Sequence, residues 1–449
     1  SIGMDYFTSI TPTDPYRVGR FEDARGPNSI LFGIGAPGGL LNQSSKIAET
    51  HRDTAAIRYG LGSWSRQRLE VDANKVIVKN KLAVSVAALH QENGGWRAFD
   101  FQDKRRVFGS VTWRPLRSVT LTAMGEVGRD INAIVRSFSD AEQVLAWYDN
   151  REALGVSTVS FVPNNTVPTA AQQLVGVVGR DGAVGGTAHR YVYIENDHTI
   201  FDAIGTFFTG SYNTAAVRAP DGTRGITAPV LRIHDPKFYP LNGNAVGPGM
   251  FRDQDLHNYT FTADWQPTRN VIFNLAHNYQ ETRAVVNVMN GNTPTLRGEA
   301  NRTLGVGGPT NPYVGRMYFD GTWTRDIHYG DSRESRLSAS YALEPKWKWF
   351  GRHRLAASVA RTDINDRRAN SWLVLAGRPF STDPANANNR INVRNYLTEG
   401  STGTYRAGDW RSLPSTINIG GRAFTTAYAN VAAGGADNGG MVQKMDSKM

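Results

Sequence analysis

The chain of 449 residues contains no cysteine. This absence excludes a disulfide framework and any thiolate-bound metal or iron–sulfur site, although it does not assign a compartment. Long apolar runs are missing too, since the longest near-candidate, Leu82 to Leu89, is interrupted by Ser85. A membrane-spanning helix needs about 20 apolar residues, so a helical membrane protein is excluded. A membrane β-barrel is not excluded, because each of its strands gives only a weak signal.

Catalytic motifs are also absent: there is no Gly-x-Ser-x-Gly elbow, no His-Glu-x-x-His and no P-loop. The sequence therefore predicts a protein that is not an enzyme and that binds no cofactor. Four residues, His189, Glu195, Asp197 and His198, lie close enough in sequence to suggest metal ligands. Their spacing matches no known ligand set, so polar loop residues are the simpler interpretation and no metal site is predicted.

The net charge is +10, yet no run of lysine and arginine is long enough for a nucleic-acid-binding arm. We therefore expect no nucleic-acid partner. The remaining interpretations are solvated surface charge, an acidic membrane surface or an anionic ligand. Residues 131–253 hold 9 Lys+Arg and 11 Asp+Glu, and this balance does not favour a strongly anionic ligand for that segment.

Apolar and polar residues alternate with a period of two in several windows, as expected for half-buried strands. In the first of them, Val107, Val111 and Trp113 share one face, while Arg106 and Ser110 share the other. The windows are 106–114, 118–126, 258–265, 271–279, 336–343 and 354–362. The pattern predicts a large antiparallel sheet rather than helices.

Short proline-containing turns alternate along the chain with long connections. Pro115, Pro267 and Pro345 each end a predicted strand, because proline cannot donate to the ladder. The long connections fall at roughly 93–101, 131–253, 284–332 and 364 onward. Short turns at one end and long loops at the other are typical of outer-membrane barrels. A soluble β-sandwich would also alternate, but it rarely contains loops of this length.

A glycine-rich segment, Glu22 to Asn42, precedes the predicted strands. It contains a literal G-x-G-x-x-G from Gly33 to Gly38, with Asp53 twenty residues after the first glycine. A dinucleotide site needs this loop to open a helix, and the residues that follow have no helical pattern. The dinucleotide interpretation is therefore rejected.

The order of motifs in this segment resembles the plug-to-barrel junction of TonB-dependent outer-membrane receptors. The residues that carry the resemblance are Glu22, Arg25, Gly26, Pro27, Leu31, Phe32, Gly33, Gly35, Gly38, Gly39 and Asn42. Asp23 departs from the pattern, because the family usually has an apolar residue there. The resemblance implies that Arg25 and Glu22 face the barrel wall in a charged contact between plug and lumen.

The resemblance implies a mainly β fold, with a partial transmembrane antiparallel β-barrel preceded by the C-terminal part of a plug domain. We expect the plug part at 1–50 and the barrel part at 51–449, with long extracellular loops at about 131–253, 284–332 and 364–449. The signal peptide, the first half of the plug, the segment that TonB grips and the last strands are expected to lie outside this sequence. The 449 residues are then not expected to form a closed barrel alone.

The implied function is TonB-dependent import of a scarce nutrient, most simply a ferric siderophore, across the bacterial outer membrane. The implied partners are TonB, outer-membrane lipid and the small-molecule ligand. Loop aromatics are the candidate ligand contacts, namely Trp147, Tyr148, Tyr191, Tyr193, Phe238 and Tyr239. Two alternatives stay open at this point, a passive outer-membrane porin and a soluble or surface β-structured glycan-binding protein.

Overall fold

The fold is built almost entirely from strands. The computed structural model describes residues 2–24, 40–136, 177–178, 191–202, 211–212, 240–289, 294–299, 304, 308–313, 316–343, 353–376, 389–419, 421–430 and 445–448. No helix within these residues is long and apolar enough to cross a membrane.

A small sheet of four strands forms the first unit of the chain. Its strands are β1 (Ile2–Met4), β2 (Phe7–Thr8), β3 (Val18–Ala24) and β4 (Leu40–Ser45), in the order β2-β1-β4-β3. Strand β4 runs parallel to β1 and antiparallel to β3. Asp5 and Tyr6 turn the chain between β1 and β2 in the left-handed region, with φ of 54° and 61°.

Nine long strands pair in series into one antiparallel sheet, which we call the wall. They are β5 (Thr54–Gly62), β6 (Arg66–Val78), β7 (Leu82–Glu92), β8 (Gln102–Leu116), β9 (Val119–Ala133), β14 (Phe251–Thr268), β15 (Val271–Met289), β17 (Met317–Leu343) and β18 (His353–Leu375). Each is hydrogen-bonded to the next in this order, so β9 pairs with β14 across a connection of more than a hundred residues. All six predicted windows fall on wall strands, apart from Ser118 in the turn before β9, and the predicted partial antiparallel barrel is confirmed.

The two faces of the wall differ as the alternation predicts. On β8, Val107, Val111 and Trp113 are exposed on the outer face, whereas Arg106 and Ser110 are buried on the inner face. The outer face continues as an apolar band along the neighbouring strands, with Val127, Phe261, Trp265, Leu275, Leu337 and Leu355 among its exposed side chains. The inner face is polar, as in barrels whose lumen is not a hydrophobic core.

The long strands extend beyond the predicted windows at the end with the long connections. β15 continues to Met289 and β17 begins at Met317, so the connection predicted at 284–332 is shorter in the structure. In β17, both faces from Asp326 to Gly330 have intermediate burial. The alternation of buried and exposed residues is therefore lost there, although the hydrogen-bonded ladder continues. A prediction from period two alone makes the strand too short for this reason.

Ten shorter strands and several 3-10 turns complete the described part of the chain, and most of them lie beyond that end of the wall. The strands are β10 (Val177–Val178), β11 (Tyr191–Ile194), β12 (Thr199–Asp202), β13 (Ser211–Tyr212), β16 (Thr295–Glu299), β19 (Ile391–Tyr396), β20 (Ile417–Ile419), β21 (Arg422–Phe424), β22 (Thr426–Asn430) and β23 (Met445–Lys448). The 3-10 turns are Pro15–Arg17, which belongs to the first unit, and Gly247–Gly249 and Trp410–Ser412. An apolar core that includes Trp323, Met250 and Val393 joins the outer segments to the ends of the wall strands.

Candidate functional site: the contact between the small sheet and the wall

The segment between β2 and β3 carries a one-turn 3-10 helix, Pro15–Arg17, whose N-cap is Asp14. Aspartate suits the N-cap because its carboxylate accepts from a backbone N–H of the first turn. Proline suits the first helical position because the N–H that it lacks would have no partner there. One oxygen of Asp14 accepts a hydrogen bond from the Tyr16 backbone N–H at 3.2 Å. The cap therefore fixes both the turn and the direction of the Asp14 carboxylate.

Two cations of the wall bind the same carboxylate. Arg68 of β6 lies with Nη2 at 2.6 Å from Asp14 Oδ1, and Lys104 of β8 lies with Nζ at 2.9 Å from Oδ2. Burial by itself would raise the pKa of Asp14, but the hydrogen bonds from Arg68 and Lys104 and the charge of Lys104 lower it to about 2. Asp14 is therefore ionised at any physiological pH.

Glu126 of β9 is the centre of a second, fully buried group of contacts. Arg17 approaches its carboxylate at 3.1 Å, the Tyr16 hydroxyl donates to it at 2.8 Å, and Arg106 of β8 lies 3.5 Å away. Arg106 also pairs with Asp130 and donates to the Pro12 carbonyl at 2.7 Å. Removing one partner of such a buried pair leaves an uncompensated charge and costs about 3–5 kcal/mol.

Further contacts extend the site to strands on the other side of β9. Gln280 of β15 accepts from the Ile10 N–H at 3.0 Å and donates to the Thr8 carbonyl at 2.7 Å. Arg336 of β17 donates to the Tyr6 carbonyl at 2.7 Å and lies over the Phe7 ring. At the other edge, Lys46 pairs with Asp72 of β6. The small-sheet unit therefore contacts the inner face from β6 to β17.

We call Asp14, Tyr16, Arg17, Arg68, Lys104, Arg106, Glu126 and Asp130 the contact network. Nearly all of its interactions are ion pairs or hydrogen bonds, and the inner face beside it carries buried amides and hydroxyls such as Asn258, Thr260 and Asn278. These polar groups can replace a protein partner by water when the two surfaces separate. An apolar interface could not separate in this way without a large free-energy cost of exposing its side chains to water. The arrangement holds the small sheet in place while keeping both surfaces compatible with water.

The glycine-rich motif is only partly within the described residues. Arg25, Gly26, Pro27, Gly33, Gly35, Gly38 and Gly39 lie outside them. Among the described residues, the hydrogen-bond partners of Glu22 lie inside the small sheet: it accepts from the Tyr6 hydroxyl at 2.5 Å and from Asn42 Nδ2 at 3.0 Å. The Tyr6 N–H in turn donates to Asn42 Oδ1 at 2.9 Å. Glu22 of β3 and Asn42 of β4 stand opposite each other in the small sheet. Together they therefore hold Tyr6 and the β1–β2 turn in place.

Two of the six candidate ligand contacts can be located. Tyr191 and Tyr193 lie on β11, are buried in the outer apolar core, and the Tyr193 hydroxyl donates to the Ser412 carbonyl at 2.9 Å. Trp147, Tyr148, Phe238 and Tyr239 lie outside the described residues. The two tyrosines pack the outer segments together in this conformation, and their role in ligand binding stays a prediction.

Three of the four residues whose closeness in sequence suggests metal ligands have separate partners. Glu195 pairs with Arg406 at 2.7 Å, Asp197 accepts from the Tyr313 hydroxyl at 2.8 Å, and His198 lies beside the Tyr193 hydroxyl. His189 lies outside the described residues. Among the residues that the structure describes, no group of three or more such side chains could hold a metal ion.

Sequence reasoning missed most of the contact network. One local signal was available, since Asp14-Pro15 is a helix-start pattern. Arg106 and Glu126 stand on the polar faces of the windows 106–114 and 118–126, but alternation does not show which polar residue meets which partner. The pairing of β8 with β9 and the position of the 3-10 helix decide that.

Comparison with known proteins gives one sequence relative and several structural ones. No protein-family model matches the chain. The metal-pseudopaline receptor CntO of Pseudomonas aeruginosa is 30% identical over 120 residues, which are 26% of this chain and 16% of that protein.

The solved structures that resemble the chain include two receptors for ferric compounds. The ferripyoverdine receptor of the Pseudomonas aeruginosa outer membrane matches with a TM-score of 0.48 at 10% identity, over 83% of this chain and 37% of its own. The ferric preacinetobactin receptor BauA of Acinetobacter baumannii gives 0.47 at 11%, over 82% of this chain and 40% of its own. The matches therefore span less than half of each of these proteins. The chain is similar to these receptors over the stated lengths. The partial antiparallel barrel with a small sheet ahead of it is given by the strand pairing of this structure itself.

Proposed function

We propose that the chain is part of a TonB-dependent receptor of the bacterial outer membrane that actively imports a ferric siderophore. In this proposal the small sheet belongs to the plug, the wall belongs to the barrel, and the protein is a transporter rather than an enzyme. TonB is the energy-coupling partner, and it would act through a segment outside this sequence. The ligand enters from the end of the wall that carries the long connections.

The observation that carries the proposal is the contact network between the small sheet and the inner face of the wall. A plug must close the lumen at rest and leave its contacts when the ligand passes. Ion pairs and hydrogen bonds suit this cycle, because water can replace each lost partner. Buried pairs still make displacement costly, so an external source of work is needed to move the plug.

The outer face of the wall supports a membrane location. Its exposed apolar side chains run over neighbouring strands, and Trp113 and Trp265 stand at the end with the short turns. Trp265 stacks on Phe273 with ring centroids 5.4 Å apart. An apolar band that ends on aromatic residues is typical of a barrel in lipid, whereas a soluble protein rarely exposes so large an apolar patch.

The test is iron uptake by cells that carry the full-length gene, a deletion of it, or the gene in a strain without TonB. We expect radioactive iron delivered as ferric siderophore to accumulate only when both the gene and TonB are present. A panel of hydroxamate, catecholate and carboxylate siderophores identifies the ligand class. Uptake that persists without TonB would contradict the proposal and favour the passive porin.

The glycan-binding alternative is tested by fractionation. A barrel with a lipid-facing band is released from membranes only by detergent, whereas a soluble or surface β protein is recovered in aqueous buffer. Recovery of the full-length protein in buffer would contradict membrane insertion independently of any transport result.

A further inference from the structure

Residues 46–53, which we call the linker, join β4 of the small sheet to β5 of the wall. One buried side chain of the wall, Asn74 of β6, bonds to the linker backbone at three points. Asn74 Oδ1 accepts from the Glu49 N–H at 2.9 Å, and Nδ2 donates to the carbonyls of Glu49 at 2.9 Å and Arg52 at 2.7 Å. Displacing this amide is costly, because each buried donor and acceptor would lose its partner.

Three more contacts bind the same part of the linker to the wall. The Asn80 N–H donates to the Thr50 carbonyl at 2.7 Å, and Arg114 donates to the Thr50 hydroxyl at 3.2 Å. The Val76 N–H donates to the Asp53 carboxylate at 2.8 Å. By its contacts, the end of the linker next to β5 therefore belongs to the wall.

The opposite end of the linker belongs to the small-sheet unit. The Lys46 N–H donates to the Arg17 carbonyl at 2.8 Å, and the Lys46 ammonium donates to the Tyr16 carbonyl at 2.6 Å. The same ammonium pairs with Asp72 of β6. Lys46 therefore stands at the boundary between the two units.

Ile47 and Ala48 separate these two ends. Among the described residues, they take part in no hydrogen bond. Hinges in proteins are a few residues at the ends of elements, where the backbone can turn without breaking a ladder. Between Lys46 and Glu49 the chain can therefore bend while the bonds of Asn74 stay intact.

Resting on the displacement of the plug proposed above, we propose that Asn74 anchors the linker to the wall and that the small sheet moves about a pivot at Ile47 and Ala48. Glu49 and Thr50 stay on the wall while the small sheet leaves the inner face. Asn74 is a positioning residue, since it holds the linker rather than the small sheet itself. A fixed tether keeps the displaced small sheet near its docking surface, so its return is an intramolecular step.

The experiment measures how fast a maleimide labels one introduced cysteine in the full-length protein, held in non-ionic detergent, at increasing urea concentration. The 449 residues contain no cysteine, and any cysteine outside them is first replaced by serine. Thr11→Cys reports on the small-sheet unit, and Thr50→Cys reports on the linker. The two positions are matched, because both are threonines and their side chains are 4% and 3% exposed.

We expect Thr11→Cys to become labelled at a lower urea concentration than Thr50→Cys, because the small sheet separates while the linker stays bound. Adding Asn74→Ala should lower the urea midpoint for Thr50→Cys by roughly 0.5–1 M, since hydrogen bonds of the linker are lost. The control is Asn287→Ala, which removes a buried amide of β15 that bonds to Arg325. It should leave the midpoint of Thr50→Cys unchanged.

Equal midpoints for Thr11→Cys and Thr50→Cys would overturn the pivot, because the linker would then move together with the small sheet. An unchanged midpoint for Thr50→Cys after Asn74→Ala would overturn the anchor. The first comparison needs no change at Asn74, so it decides the matter even if Asn74→Ala does not fold. Labelling requires neither ligand nor TonB, so a lack of iron uptake beside the expected labelling contradicts the proposed function alone.

Discussion

The Asp14 carboxylate is shared between two elements: it caps the 3-10 helix of the small-sheet unit and lies 2.6 Å from the Arg68 guanidinium on β6 of the wall. One side chain thus determines both a local turn and the docking of that turn on another sheet. Lys104 binds its second oxygen at 2.9 Å. Loss of this carboxylate should therefore affect the fold of the segment and its docking together.

Asp14→Asn should weaken docking of the small sheet by about 3 kcal/mol, because Arg68 and Lys104 lose their shared anion in a buried place. The measurement is hydrogen exchange of the amides of β3 and β4, which should become faster. The matched control is Asp53→Asn, which removes an ion pair with Lys75 on the exposed outer side. That control should leave exchange in the small sheet unchanged, and equal acceleration in both variants would contradict the role of Asp14.

Lowering the pH should weaken the contact of Asp14 with Arg68 and Lys104 within a defined pH range. The pKa of Asp14 is about 2 in the folded protein, below the ordinary aspartate value of 3.8. A carboxylate with a lowered pKa stabilises the fold above pH 3.8 and loses that contribution as the pH falls through about 2. The loss amounts to about 2 kcal/mol.

Asp5 changes the stability with pH in the opposite direction to Asp14. Burial raises the pKa of Asp5, and the hydrogen bonds from Ser45 only partly offset this rise. Its contribution therefore favours the fold as the pH falls. The informative quantity is the difference in exchange protection between wild type and Asp14→Asn from pH 6 to pH 2. We expect that difference to shrink at the acid end, and a constant difference would show that Asp14 does not titrate in this window.

Glu126 should couple energetically to Tyr16. Tyr16→Phe removes one hydrogen bond at 2.8 Å and should cost about 1 kcal/mol. Glu126→Gln removes the anion that faces Arg17 and Arg106, so it should cost about 3 kcal/mol. In a double-mutant cycle, Tyr16→Phe should cost less in the Glu126→Gln background. Strict additivity of the two unfolding free energies would contradict a direct interaction.

Adding a side chain at Gly128 should destabilise the protein, because a Cβ there would lie 2.6 Å from Arg106 Cγ. Arg106 is held by Asp130 and the Pro12 carbonyl, so moving it breaks contacts on both sides. We expect Gly128→Ala to destabilise the protein by about 1–3 kcal/mol. The matched control is Gly109→Ala on β8, whose Cβ would meet nothing closer than 3.7 Å. Equal thermal stability of the two variants would count against the packing of Arg106.

Val111→Arg tests whether the outer face lies in lipid. Val111 is 40% exposed on β8, and a charge on the lipid face of a barrel costs about 2–4 kcal/mol near the midplane. Leu241→Arg is the control, at a residue that is 60% exposed outside the wall. Folding into lipid vesicles should be impaired only by Val111→Arg. Indifference to both substitutions would favour a soluble protein.

Local patterns predicted the wall because each strand buries one face and leaves the other exposed. The period-two alternation alone predicts the outward position of Val107, Val111 and Trp113. Pro115 lies in the register shift between Trp113 and Leu116, just before the turn that ends β8, because proline cannot donate to the ladder. The glycine motif predicted a unit ahead of the barrel, and the small sheet lies there, with Glu22 bonded to Tyr6 and Asn42 inside it.

The contact network could not be predicted in the same way, because its partners are far apart in sequence. Tyr16 and Glu126 are separated by 110 residues and meet only when β9 stands in the wall and the 3-10 helix rests on it. The sequence by itself determined which residues are polar and inward, which are apolar and outward, and where the chain turns. Only the tertiary structure decided which charges face each other, because strand register and sheet docking are set by the sum of many contacts across the whole wall.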